Sequence, residues 1–149
     1  NANFRRFVKS YGSSHPGGSA SYSRTWNRGD GDINNFGDHN VGMWGMRLGA
    51  RIAETEGIPV AIFCGGIGDK INFFQANSPF YISSDGDNNY RRLRRRLAES
   101  GVQNSVRGIF WWQGESDGII EDNKTSRTDY VNIFNNIVTS WRSDYPSLE

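Results

Sequence analysis

The chain has 149 residues, 36% of them hydrophobic and 13% aromatic, enough to build one domain around an ordinary core. Its net charge of +1 supplies no global field toward nucleic acid or a membrane surface, so neither is expected as a partner. No stretch approaches the apolar length that spans a bilayer, and the single cysteine, Cys64, rules out an internal disulfide.

The chain opens at Asn1 without Met or a signal-like segment and stops at Glu149 just after a helix-like pattern, so both ends read as cut. Phe4 to Val8 reads as an opening strand. Residues 10–38 form a long polar stretch, rich in Gly and Ser, with Tyr22, Trp26 and Phe36 spaced through it. Those aromatics favour an ordered loop packed on the domain. From Asn40 onward Val41, Trp44, Leu48 and Ile52 recur at helical spacing, with Asn40 as cap and Gly57 then Pro59 as stop. Ile58 to Cys64 is apolar apart from its Pro and reads as a buried parallel strand, with Cys64 a small core residue at its end. The loop Gly65 to Ile71 follows. Its glycines let backbone amides approach a ligand closely, but no Gly-Lys-Ser/Thr follows, so it is not a Walker loop.

Asp85-Gly86-Asp87-Asn88-Asn89 begins like a calcium loop, yet Tyr90 stands where the Gly belongs and Arg96 where the bidentate Glu belongs, which excludes an EF-hand. A second helix is predicted over 89–100, with Tyr90, Leu93 and Leu97 on one face and Gly101 closing it. Its arginines, Arg91, Arg92, Arg94, Arg95 and Arg96, read as a solvated face near the helix's carboxyl end rather than a phosphate or glycan site. Val106 to Phe110 reads as a buried strand that delivers Trp111-Trp112-Gln113-Gly114-Glu115-Ser116-Asp117 at its carboxyl end, where open α/β sheets place their active sites. Gly118 to Arg127 reads as irregular, so the polar cluster is expected on a loop held by a rigid strand. Neighbours on a strand face opposite ways, so at most one of Trp111 and Trp112 is expected to face a substrate. A third helix, from about 128 to 142, carries the stripe Tyr130, Ile133, Phe134, Ile137, Val138 and Trp141. The alternation of strands and helices predicts an α/β fold with a mostly parallel sheet.

These residues carry a resemblance. Trp-Gln-Gly-Glu-Ser-Asp at 112–117, after the Pro-Val-Ala-Ile-Phe strand at 59–63 and its glycine loop, resembles the SGNH-type carbohydrate esterases. It is most similar to the sialate O-acetylesterase and acetylxylan esterase branch, whose third block reads Gln-Gly-Glu. The resemblance covers most of the chain from Val41 onward. It implies a three-layer α/β/α sandwich of flavodoxin-like topology, here a single domain over 1–149 that is incomplete at both ends. The implied activity is removal of acetyl groups from sialic acid or plant glycans, with no metal or organic cofactor. An acetylated carbohydrate is the implied partner, and its class implies an extracellular or periplasmic location.

The family's second block reads like Gly-Gly-Thr-x-Ile-x-x-Trp. Alignment on the Ile places Gly68, Asp69, Ile71 and Phe74 on the second Gly, the Thr, the Ile and the Trp, and Ile67 replaces the first Gly. Ester cleavage by a serine passes through a tetrahedral oxyanion, which donors fixed before the reaction stabilise. The resemblance assigns that work to the Gln113 side-chain amide and the Gly68 backbone N–H, and places Trp112 and Asp69 against substrate. Glu115 either orients the catalytic His or braces the loop, the brace being favoured. The family's Gly-Gln-Ser-Asn-like nucleophile block belongs upstream of Phe4 and its Asp-x-x-His block downstream of Glu149. Neither occurs in these residues, and His15 and His39 lie in the amino-terminal third. The chain is therefore expected to carry an esterase's oxyanion apparatus without its triad Ser and His.

Two rival readings use the same residues. Gly114-Glu115-Ser116-Asp117-Gly118 fits a Gly-x-Ser-x-Gly nucleophile elbow with Ser116 as nucleophile, which needs a helix directly after it and a later His. A non-catalytic relative that only binds carbohydrate is the other.

Overall fold

A computed structural model describes residues 3–12, 24–31, 39–66, 68–80, 82, 86–119 and 124–148. The fold is α/β, with a small mixed sheet of order β2-β1-β3 and several helices. Strand β1 is Val8–Tyr11, β2 is Trp26–Arg28 and β3 is Val60–Ala61. β1 runs parallel to β3, as expected for the Ile58 to Cys64 segment, but antiparallel to β2. The sheet is therefore mixed rather than mostly parallel. β2 falls within the polar stretch 10–38, whose residues 13–23 and 32–38 lie outside the described residues.

The opening segment differs from expectation. Phe4–Phe7 forms a turn of 3-10 helix, and the strand starts only at Val8. β3 is likewise short, with Ile58 55% exposed, so the apolar run there marks a half-covered strand rather than a buried one. Composition alone cannot separate those two cases.

Helix α1 (Gly42–Glu56) has the predicted limits: Asn40 Oδ1 accepts from the Gly42 N–H at 2.7 Å, and Gly57 ends it at φ 69°. Its buried face, however, is Gly45, Met46, Gly49, Ala50 and Ala53, rotated away from the large residues, and Trp44 is exposed. The reason is close approach. A Cβ on Gly49 would stand 2.9 Å from Val8 Cγ2, and one on Gly45 3.3 Å from Ile62 Cγ2, so the small-residue stripe lets the helix lie against the sheet. Val8, Val41, Met46 and Ala50 form the core on this side.

Helices α2 (Asn89–Glu99) and α4 (Arg127–Asp144) build the larger core, in which Ile71, Phe74, Tyr90, Leu97, Ile137, Trp141 and Tyr145 are buried. Ser126 caps α4, accepting from the Asp129 N–H at 3.0 Å while its hydroxyl donates to the Asp129 carboxylate at 2.7 Å. Asn88 caps α2 and also donates its side-chain amide to the carbonyls of Gln75, Ala76 and Ser78. The calcium-like stretch thus serves the helix: Asn88 is its cap, and Asp87 pairs with Arg95 at 3.0 Å.

The arginine run is a solvated face only in part: Arg91 and Arg94 are exposed. Arg92 and Arg96 are buried, and Arg96 donates to the carbonyls of Tyr11 (2.8 Å), Cys64 (2.8 Å) and Gly12 (3.4 Å). Those carbonyls lie at the carboxyl ends of β1 and β3. A guanidinium has five donors in a fixed fork, so one side chain can satisfy both strand ends at once.

Candidate functional site

Residues 106–110, expected as a buried strand, form none of the described strands, and Arg107, Gly108 and Phe110 are exposed. Burial still alternates as a strand's would: Ile109, Trp111 and Gln113 turn inward, while Phe110 and Trp112 are 60% and 85% exposed. Trp111 is the anchor. Its ring meets Phe74, Phe134 and Trp141 with centroids 5.2–5.6 Å apart, and its indole N–H donates to Tyr130 Oη at 3.2 Å. Such aromatic contacts fix the segment in position and register.

The anchored segment ends at Gly114, whose φ of 143° suits only a residue without Cβ, and turns directly into the short helix α3 (Glu115–Ile119). The start of the stretch predicted as irregular is therefore helical. The acidic and glycine-rich ends of two segments meet at this point. The Gln113 side-chain amide donates to the Asp69 carbonyl at 2.8 Å and to Asp117 Oδ2 at 2.5 Å. The Ile71 N–H donates to the same Asp117 oxygen at 2.9 Å. Two segments more than 40 residues apart in sequence are thereby joined, the loop after β3 and the turn after Trp112.

Of the predicted site residues, Gln113, Asp69 and its neighbour Gly68 are brought together. Gly68 is exposed, with open space where a Cβ would stand. The Asp69 carboxylate turns back on its own loop, accepting from the Lys70 N–H at 2.7 Å. Trp112 and Glu115 form a separate pair at the surface, joined by an indole N–H to Glu115 Oε1 bond of 2.8 Å. Glu115 thus holds an exposed ring rather than the loop amides. Ile67 lies outside the described residues.

Three residues at this junction were given no site role from the sequence, although Asp117 was counted in the polar cluster. Asp117 is buried, Thr125 donates its hydroxyl to Asp117 Oδ1, and Tyr130 Oη lies 2.9 Å from the Gln113 carbonyl and 3.0 Å from Gln113 Oε1. The period of α4 marked Tyr130 only as core. Gln113 and Thr125 lie within eight positions of Asp117, but the partner that joins it to the other segment, Ile71, is 46 positions away.

Ser116 lies in the first turn of α3, as a nucleophile elbow requires. His39 offers it no base: its ring Nε2 is 2.9 Å from the Asn27 side-chain amide, on β2. An open groove of about 280 Å³ lies elsewhere, over β1 and β3, lined by Lys9, Trp26, Pro59, Val60 and Ala61. It holds none of the polar groups of the Gln113 junction, so chemistry rather than volume locates the candidate site.

No helix among the described residues is long and apolar enough to cross a membrane. Comparison with curated proteins and with solved structures finds no match. A family model described as carbohydrate esterase, sialic acid-specific acetylesterase matches residues 23–148, nearly the whole chain, including both segments that meet at Gln113. The chain belongs to the sialic acid-specific acetylesterase family of carbohydrate esterases.

Proposed function

We propose that this protein is a serine O-acetylesterase acting on an acetylated carbohydrate, sialic acid or a plant glycan, and that residues 68–71 and 113–117 form the oxyanion side of its site. The observation that carries the reading is the bond from the Gln113 amide to the Asp69 carbonyl, which puts a side-chain donor beside the exposed Gly68 backbone.

The chemistry follows from those groups. A serine oxygen attacks the acetyl carbonyl, and negative charge grows on its oxygen as the tetrahedral intermediate forms. Both hydrogens of the Gln113 amide are engaged at rest, one on the neutral Asp69 carbonyl and one on the Asp117 carboxyl group. A bond to a carboxylate is the stronger of the two, so the hydrogen on Asp69 is the one released to the oxyanion. The Gly68 N–H supplies a second donor. Trp112, exposed and held by Glu115, offers a flat apolar face to a sugar ring. Glu115 braces the Trp112 ring in this scheme.

The nucleophilic Ser and the base His come from outside residues 1–149 in this reading, since neither family block occurs in them. The complete fold is the three-layer sandwich of SGNH hydrolases. Its support is that α1 packs on the Val8 face of β1 while Arg96 of α2 reaches the strand ends by way of Phe63 and Tyr11. Acetylated glycans are substrates found outside the cytoplasm, which favours a secreted or periplasmic protein.

The test is hydrolysis of O-acetylated sialic acid and acetylxylan by the protein carrying its native flanking residues. Gln113→Ala is expected to lower kcat by about a hundredfold, as loss of one oxyanion donor does. Unchanged kcat in that variant removes Gln113 from the mechanism. Binding of the saccharide without any turnover would instead make the protein a lectin-like relative. Fluorophosphonate labelling of Ser116 in the 149-residue chain would revive the nucleophile elbow.

A further inference from the structure

Asp117 is 5% exposed, and its side chain gathers three donors from three segments. Oδ2 accepts from the Ile71 N–H at 2.9 Å and from Gln113 Nε2 at 2.5 Å, and Oδ1 accepts from the Thr125 hydroxyl. The Thr125 N–H also donates to the Asp117 carbonyl at 3.3 Å. A buried carboxyl group is costly unless hydrogen-bonded, and here the bonds go to the loop after β3, to the turn after Trp112 and to the segment leading into α4.

We propose that Asp117 is a positioning residue: it sets the direction of the Gln113 amide and locks the 68–71 loop against it. This rests on the esterase reading for its catalytic consequence, though not for its geometry.

The geometry of one planar amide makes the argument. One Nε2 hydrogen of Gln113 goes to Asp117, and Tyr130 Oη, whose single hydrogen is shared with the Gln113 carbonyl, lies 3.0 Å from Oε1. With one hydrogen held by Asp117, the direction of the second hydrogen in the planar amide is restricted. That hydrogen is the one on Asp69, the one released to an oxyanion. The same Asp117 oxygen holds the Ile71 N–H, so the loop bearing Gly68 keeps its distance from the amide. One carboxyl oxygen therefore sets the spacing of two donors that must converge on a single atom. Catalytic donors misplaced by about 1 Å lose most of their effect.

The experiment has two readouts. The first is hydrogen exchange of the Gln113 side-chain amide, followed by 15N NMR in the 149-residue chain. The wild type is expected to show protected Gln113 Nε2 hydrogens, and Asp117→Ala to expose them to exchange at the rate of a free glutamine. The second is kinetics of acetyl ester hydrolysis by the protein with its flanking residues. Asp117→Ala is expected to lower kcat about tenfold or more with KM nearly unchanged, and to add less than about twofold in a Gln113→Ala background, the non-additivity of groups acting as one.

Unchanged Gln113 exchange in a folded Asp117→Ala chain, or additive losses in the double variant, would overturn the proposal. If Asp117→Ala does not fold, Thr125→Val takes its place: it is expected to loosen the Gln113 amide and lower kcat severalfold, with Thr125→Ser restoring both. Wild-type exchange and kcat in Thr125→Val would then overturn it. A wild-type protein that hydrolyses no acetyl ester sinks the esterase reading instead, while the exchange measurement still judges Asp117.

Discussion

Side chains near Gln113 divide into those that touch the candidate site and those that hold it. Trp111 and Trp112 are adjacent and similar in size, yet one is packed among three aromatic rings and the other is 85% exposed. The pleat of an extended chain imposes that division. Trp112 buries little in the folded chain, so its removal costs stability little. Trp112→Ala is accordingly expected to leave Tm unchanged and to raise KM for an acetylated saccharide by about tenfold, the worth of one ring stacked on a sugar. Equal KM in both proteins would show that the exposed ring does not meet substrate.

Among the elements, α2 does the most to shape the site's surroundings. Its amino end supplies Asn88 and Asn89, which hold the carbonyls of Gln75, Ala76, Ser78 and Gly65, and its last turns supply Arg96. The loop after β3 is thus bound at both ends by one helix. Replacing Arg96 by Ala would leave the carbonyls of Tyr11 and Cys64 without their donor in the interior. Each unsatisfied buried group costs about 1–3 kcal/mol, so Arg96→Ala is expected to destabilise the chain by about 3 kcal/mol or more, read as a lower urea midpoint. A loss below about 0.5 kcal/mol, the scale of ordinary surface substitutions, would mean that the two strand ends do not depend on Arg96.

At the scale of the whole molecule, the α2–α4 contact links stability to pH. Burial, and next the hydrogen bond to Asp144, raises the Tyr90 hydroxyl well above the ordinary tyrosine value; the bond is 2.8 Å long. Burial, and next the Asp144 charge, pushes Tyr145 up to about 12. The folded state therefore holds these protons more tightly than the unfolded chain, whose tyrosines ionise near 10. Stability is complete below pH 10 and falls as pH climbs from about 10 toward 12, because the unfolded state alone loses protons there. Thermal melts across that range are expected to show a steep fall in Tm that Tyr145→Phe makes shallower. A parallel fall in the variant would place the alkaline sensitivity elsewhere.

The sequence by itself determined the three long helices and the family. Periodicity, the Asn40 cap and the Gly57 and Gly101 stops act within a few residues, so α1, α2 and α4 were legible to within about two residues of their limits. The block at 112–117 carried the family resemblance because its residues are contiguous. Only tertiary structure decided the rest. Which face of α1 is buried depended on how closely Gly45 and Gly49 approach Val8 and Ile62. Whether Arg96 lies in water or reaches the strand ends depended on carbonyls as far as 85 positions away. Asp117 became the centre of the Gln113 junction through Ile71, 46 positions distant. Local patterns record what a residue does to its own turn or strand. A buried polar group takes its role from partners that only the folded chain brings within hydrogen-bonding reach.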